Sequence, residues 1–475
     1  MIPLLLISIP LLSGLAVLLL KDSPASKALA LVSSIATLAL ALVAVFSKGA
    51  LHYDAAWLPA LGSRFSLMQD GMAKMLCLLT AISFPVVFAA TYNNSYQKSG
   101  AFYGLMLLTQ AGLMGVFLAS DALLFYFFWE LALIPVYFLC SIWGGERRIA
   151  VTFKFFIYTF IGSLLMLIGI LYVYSKTADH SFALESFYHV KLMAKEQAYV
   201  FALFFIAFAI KMPIFPLHTW QPDAYEQSPT ATTMILSGVM VKMGIYAVIR
   251  WLLPMVPDAV SGHAMFVIIL SVTGMIYASL IAIRQDDIKR LIAYSSIAHI
   301  GLMCAAIFVQ NRIGLEGVMI QMFNHGVNVI GLWIVADVIE QQLGTRKMSE
   351  LGGLAQKAPV LAVLLVLMAL ANVALPLTNA FVGEFLMFNG LFQYNVWITA
   401  IAGISIILAA VYTLNMIQKV FYGQVAEKVT NAVDLSFNTQ LALGILVVLV
   451  LVMGLYPQPM INLTKDTVDA IFVQR

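Results

Sequence analysis

The chain is expected to be an all-α, polytopic membrane protein: one integral-membrane domain over residues 1–475, about 14 transmembrane helices, two inverted five-helix repeats, and discontinuous seventh and twelfth helices. Three observations lead there. Hydrophobic residues make up 62% of the sequence and charged residues 10%, whereas about a quarter of a soluble domain is charged; mean hydropathy is +0.95. Apolar stretches of bilayer length recur from end to end. Two of those stretches are interrupted by proline in their apolar interior.

Apolar stretches of roughly 17–25 residues span a bilayer as helix. They fall at about 1–20, 27–47, 70–92, 101–119, 121–143, 149–175, 198–217, 229–250, 262–283, 288–309, 313–340, 359–391, 395–422 and 437–456. The first has no charged segment before it and no small-residue cleavage site before Lys21, so it is expected to be a retained helix rather than a removed signal peptide. An even number of spans puts both termini on one side. The clustered cations Arg147–Arg148 and Lys289–Arg290 fall on the other side, which the positive-inside rule makes cytoplasmic, leaving both termini periplasmic.

The loops are short, with the longest polar stretches at about 48–69, 176–197 and 341–358, which leaves no room for a separate soluble domain. A net charge of +3 suggests no nucleic-acid partner; lipid is the expected surrounding. Cys77, Cys140 and Cys304 sit singly in apolar spans, without metal-site spacing or disulfide pairing, and read as packing residues.

The seventh span is broken at Pro213 and Pro216, and the twelfth at Pro376 within "NVALPLTNAFVGEF". Proline removes a backbone donor and clashes with the preceding turn, freeing carbonyls that lipid cannot satisfy. Breaks five spans apart suggest structural repeats over residues 101–250 and 262–422, whose odd helix number would set them in opposite orientations, as in secondary transporters.

An ionisable side chain near mid-membrane costs ~2.5–3.5 kcal/mol on insertion scales and so marks a functional site by default. Six positions qualify: Glu130, Lys211, Lys242, His299, His325 and Glu384. Glu130 follows Asp121 by nine residues, which at about 1.5 Å per residue carries it deep into the fifth span. Lys242, His299 and His325 occupy the middles of the eighth, tenth and eleventh spans, and Glu384 lies eight residues beyond Pro376. Taken singly, each has a bland reading as a structural ion pair or a helix-to-helix hydrogen bond, the imidazoles above all. Six on six helices, two of them broken, point together to proton movement. A carboxylate near a buried lysine favours its charged form, so a Glu130–Lys211 pair can hold a proton when closed and release it when open. Histidine titrates near neutrality, which suits His299 and His325 as links between Lys242 and Glu384.

His218, in "HTWQPDAYEQSP" with Asp223 and Glu226, lies at the cytoplasmic mouth and is a candidate proton entrance, with a solvated loop as the equal alternative. Lys154 is expected to snorkel to the surface. No phosphate loop, metal-ligand cluster or nucleophile triad stands in the sequence, so no cofactor or metal is expected in this chain.

The stretches "DALLFYFFWELALIPVYFL", "KMPIFPLHTWQPDAYEQSPTATTMILSGVMVKMGIYAVIR", "DDIKRLIAYSSIAHIGLM" and "FNHGVNVIGLW" resemble the antiporter-like subunits of respiratory complex I and of Mrp-type sodium/proton antiporters, over about residues 60–425. A glutamate at 384, where the L and N types carry lysine, resembles the M type of the bacterial NADH:quinone oxidoreductase. The resemblance implies that Glu130 and Lys211 form a pair, Lys242 is a central relay lysine, His299 and His325 connect, and Glu384 exchanges protons with the periplasmic side. It also implies a bacterial inner-membrane location, L-type and N-type neighbours with the lateral helix of the L subunit along the broken helices, and flavin, iron–sulfur clusters and quinone in partner subunits. Gln221 and Tyr225 depart from the family's leucine and second histidine. The competing readings are a subunit of an Mrp-type cation/proton antiporter and a membrane-arm scaffold. Glu384 favours the complex I reading, and a scaffold would be more stable with apolar residues in place of the buried charges.

Overall fold

The computed structural model describes residues 1–21 and 23–473. The chain opens with α1 (Ile2–Leu19) and α2 (Pro24–Phe46), followed by a hairpin of β1 (Leu51–Leu58) and β2 (Ser63–Gln69). Next come α3 (Gly71–Ala90), α4 (Ser99–Leu118), α5 (Ala122–Trp143), α6 (Arg148–Lys176), the short α7 (Leu184–Tyr188), α8 (Ala194–Lys211) and α9 (Trp220–Gln227). The second half holds α10 (Thr230–Met255), α11 (Pro257–Arg284), α12 (Ile288–Phe308), α13 (Arg312–Leu343), α14 (Pro359–Asn372), α15 (Asn379–Tyr394), α16 (Val396–Phe421), α17 (Phe437–Leu455) and α18 (Gln458–Val473).

Among the described residues, 12 helices are long and apolar enough to cross a membrane. The seventh and twelfth expected spans are the exceptions, because each is split: α8 from α9, and α14 from α15. Helix starts follow local chemistry. Asp70, Asp121, Asp287, Asn311 and Asn395 each accept a hydrogen bond from a backbone amide in the first turn that follows, satisfying donors that a helix N-terminus leaves free.

Two helices form the centre. The apolar windows of α10 and α13 are wholly buried, while those of α1, α2, α16 and α17 are mostly not buried within the chain. Loops 92–98, 144–147, 285–287 and 344–358 gather with α9 at one end of the bundle, tied by bonds such as Gly145 N to Gln227 O at 2.8 Å and Ile288 N to Arg346 O at 3.0 Å. The hairpin, α7 and α18 cover the other end, where Arg312 pairs with Asp469 at 2.8 Å.

The hairpin is absent from the sequence-based expectations, which left 48–69 as a polar loop. Its β1 strand alternates half-buried and exposed side chains along "LHYDAAWL", the period of a strand lying on a surface. The turn needs Gly62: its φ is +73°, and a Cβ there would stand 2.3 Å from His180 O.

Close helix contact is set by small residues at one crossing in particular. A Cβ on Gly112 of α4 would lie 2.3 Å from Ala132 N and 2.5 Å from Ala132 Cα of α5, the helix that carries Glu130. Backbone cannot yield as a side-chain tip does. Gly112→Ala is therefore expected to destabilise the chain by about 1–3 kcal/mol and to lower the thermal unfolding midpoint in detergent. Gly262→Ala, inside α11 where nothing stands within 4 Å, should not lower that midpoint.

Candidate functional site

Lys242 sits at the centre of α10, fully buried. The preceding turn, Leu236–Met240, is a π turn: Val241 N reaches back to Leu236 O at 3.2 Å. Such bulges recur at functional sites. Here the lysine folds back on its own helix and donates to Ser237 O at 2.8 Å, and its second contact is His325 Nδ1 on α13, also at 2.8 Å. A neutral imidazole nitrogen accepts from an ammonium, or donates to a neutral amine, so this contact suits a proton shared between the two groups.

Two further groups continue the line. The ring of His325 lies 5.5 Å from the ring of His299 on α12. His299 Nδ1 is 3.0 Å from Glu384 Oε1 on α15, and Gln321 Nε2 stands 3.5 Å from the same oxygen. All four ionisable groups are buried. Thus Lys242, His325, His299 and Glu384, four positions singled out by sequence, are brought into one row.

Glu130 and Lys211 form the other group, and it is built differently. Lys211 is the last residue of α8, buried, with its Nζ 5.7 Å from the centroid of the Trp129 ring. Neither Lys211 Nζ nor Glu130 Oε1 has a hydrogen-bond partner among the described residues. Lys211 Nζ and Glu130 Oε1 are thus not hydrogen-bonded to each other, and the pair that the sequence reading has opening and closing is not closed here. The break beyond Lys211 is satisfied in part from inside the protein: Trp220 Nε1 donates to Ile210 O at 3.0 Å. Gly244 brings α10 against this break, since a Cβ there would sit 2.8 Å from Phe208 O and 2.9 Å from Met212 N.

His218 lies inside the break rather than at a solvated mouth. It is buried, its ring 5.6 Å from Phe215 and 5.3 Å from Tyr277, and its Nδ1 has no partner among the described residues.

The loop end carries an ion network that the sequence reading left undecided between a proton entrance and a solvated loop. Glu226 on α9 meets Arg290 at 2.7 Å, Arg346 at 3.3 Å and Arg147 at 3.7 Å. Asp223 on α9 takes Lys154 at 2.8 Å and Arg290 at 3.1 Å. Burial works against the charge on Asp223, but the hydrogen bonds from Lys154 and Arg290 outweigh it and hold the carboxyl below its usual range. Lys154 therefore reaches a carboxylate instead of snorkelling freely. Deeper in, Lys289 lies 2.5 Å from Glu340 and 2.8 Å from Thr230 Oγ1, and the buried Asp337 accepts from Asn94 Nδ2 at 3.1 Å. At the opposite end Arg250 is buried in α10 and pairs with Asp70 at 2.6 Å.

Among the described residues no group of three or more His, Cys, Asp or Glu could hold a metal ion. The three cysteines are buried and unbridged; Cys140 Sγ lies 3.0 Å from Ser228 Oγ.

A family model for the transmembrane region of NADH:quinone oxidoreductases and Mrp antiporters matches residues 119–409. The chain is 37% identical over 427 residues to NADH-quinone oxidoreductase subunit M of Rhodobacter capsulatus, covering 87% of this chain and 83% of the relative. A chain of respiratory complex I from Thermus thermophilus with bound NADH superposes with a TM-score of 0.92 at 29% identity, covering 99% of this chain and 100% of that one. A chain of the Mrp complex from Dietzia sp. DQ12-45-1b shares the fold with a TM-score of 0.84 at 24% identity, covering 98% of this chain and 51% of that one.

The network makes one mechanical prediction. Arg290→Ala removes contacts from α12 to both acidic residues of α9, each worth about 1 kcal/mol at a partly exposed site. Backbone amides of residues 220–227 should then exchange with deuterium several-fold faster, with those of 200–208 unchanged.

Proposed function

The chain belongs to the NADH:quinone oxidoreductase/Mrp antiporter transmembrane family, and we propose that it is the M-type, proton-translocating subunit in the membrane arm of such an oxidoreductase. The observation that carries this reading is the row Lys242–His325–His299–Glu384, in which each member faces the next across a helix boundary.

The row works by the ordinary chemistry of its groups. A proton arriving at Lys242 makes an ammonium facing His325 Nδ1. The imidazole accepts it there and, through the opposite nitrogen, passes a proton on toward His299. His299 faces Glu384, whose carboxylate takes the proton and releases it on the far side. His325 Nε2 and His299 Nε2 have no hydrogen-bond partner among the described residues, so water or a ring movement completes that step. Lys211 and Glu130 act before the row. When Lys211 holds a proton without Glu130 in contact, its charge repels a second cation, which favours movement of the Lys242 proton onward. When Glu130 closes on it, that repulsion is neutralised. His218 is the candidate entrance, lodged in the break beside Lys211.

The same proposal places the chain in a bacterial inner membrane with the hairpin end periplasmic, and reads residues 101–250 and 262–422 as inverted repeats. L-type and N-type subunits would be its neighbours, with the lateral helix of the L type along the breaks. Flavin, iron–sulfur clusters and quinone would reside in partner subunits, with no redox site in this chain.

The test is purification of the tagged chain from native membranes in mild detergent, with assays for flavin, iron–sulfur absorbance and NADH-driven quinone reduction. Co-elution of all three is expected. A redox-silent eluate carrying other small hydrophobic subunits would transfer the chain to the Mrp type. In proteoliposomes, Glu130→Gln and Glu384→Gln should each lower proton pumping by roughly tenfold or more with assembly intact. Pumping at the unchanged level, or loss of assembly in both, would make the chain a scaffold.

A further inference from the structure

The second break, between α14 and α15, is tied to α13 by two asparagines on either side of His325. Asn328 Nδ2 donates to Ala371 O at 3.2 Å, in the last turn of α14. Asn324 Nδ2 donates to Asn379 O at 2.7 Å, at the first residue of α15. One asparagine holds the chain before the break, the other holds it after. Both are buried, and Asn324 Oδ1, Asn328 Oδ1 and Asn379 Nδ2 are left without partners among the described residues.

The break needs such ties. Ala374 has φ +54° and Leu377 φ +75°, a left-handed conformation that costs an L residue energy and persists only where the surroundings hold it. Within the break itself, Ala374 N bonds to Ala371 O and Leu375 N to Leu370 O, each at 3.1 Å. These local bonds do not connect the break to the row of ionisable groups; the asparagines do. Asn324 is the sequence neighbour of His325, and Asn328 lies about one turn further along the same helix. One turn in the other direction, Gln321 reaches Glu384 at 3.5 Å. The helix that presents His325 to Lys242 is therefore fastened to α14 and to α15, and α15 carries Glu384.

We propose that Asn324 and Asn328 are positioning residues for proton transfer: they clamp the two ends of the break to α13 so that its conformation and the placement of His325 and Glu384 are set together. The proposal rests on the relay reading above. A change in the break alters the Asn324 and Asn328 contacts first, and through them the face of α13 that meets Lys242 and His299. Neither asparagine touches a transferred proton; each acts through the groups it holds.

The test uses the intact complex purified from strains carrying Asn324→Leu or Asn328→Leu, variants of similar size without a donor, beside Asn324→Ser and Asn328→Ser, which keep one. Two quantities are measured: deuterium exchange of amides 373–380, and protons pumped per NADH oxidised in proteoliposomes. The leucine variants should exchange faster across the break and pump about fivefold less, the equivalent of roughly 1 kcal/mol for one lost hydrogen bond. The serine variants should remain within about twofold of the parent. Faster exchange with pumping unchanged, or pumping lost with exchange unchanged, would overturn the proposal. So would equal losses in leucine and serine variants. If the leucine variants fail to assemble, the serine variants decide by comparison with Asn324→Ala and Asn328→Ala, which differ from them by one hydroxyl; equal pumping in serine and alanine overturns the clamp. Glu384→Gln serves as the separate check: normal pumping there would remove the relay reading, while the exchange data would still report whether the asparagines hold the break.

Discussion

A polar group carried into the bilayer must find its partner inside the protein, because hydrocarbon offers none. That constraint explains why the two broken helices lie against the wholly buried α10 and α13 rather than at the rim. Each break leaves backbone groups without helical partners, and each is met by a side chain from elsewhere: Trp220 reaches Ile210 O at the first, and Asn324 and Asn328 reach Asn379 O and Ala371 O at the second. The same constraint selects where ionisable groups can stand. Lys242 is tolerated because a π turn and an imidazole both receive its amine.

The two ends of the ionisable set obey the constraint unequally. From Lys242 to Glu384 each group has a hydrogen-bond partner or a facing ring. Lys211 Nζ and Glu130 Oε1 lack such partners among the described residues, and Lys211 Nζ lies over the face of Trp129. A buried amine without a bond is costly to leave in that state, so small rearrangements of the neighbouring break change its energy by more than they change Lys242. In the proposed relay, the loose pair is the switch and the wired row is the path.

Much of this was legible from residue types alone. Length and hydropathy placed the helices, since a bilayer imposes its thickness on sequence, and Pro213, Pro216 and Pro376 marked both breaks because proline cannot complete the helical ladder. Glu130, Lys211, Lys242, His299, His325 and Glu384 stood out as charges or imidazoles in apolar runs. Contact between them was not legible: sequence suggested a Glu130–Lys211 pair that opens and closes, and that Lys211 Nζ and Glu130 Oε1 stand here without a hydrogen bond depends on helix rotation that periodicity does not specify. The hairpin at 51–69 escaped notice because alternation over eight residues is a weak signal beside 20-residue apolar runs. Asn324 and Asn328 escaped for a different reason. They are neutral, and a search for titratable groups passes over amides, although their spacing with Gln321 along α13 placed all three on one face.

The loop-end network adds a mechanical restraint to this picture. α9 is the segment freed by the first break, and it would swing if nothing held it. Asp223 and Glu226 tie it to α6, α12 and the loops on either side through Lys154, Arg290, Arg147 and Arg346. No equivalent tie reaches Lys211 itself, whose amine is unbonded among the described residues. The first break is thus anchored beyond its far end and loose at its near end. Displacement of α9 is opposed by these charge pairs, whereas Lys211 Nζ and His218 Nδ1 have no hydrogen bond among the described residues to hold them. The second break differs in that the helix presenting His325 holds it on both sides, through Asn324 and Asn328.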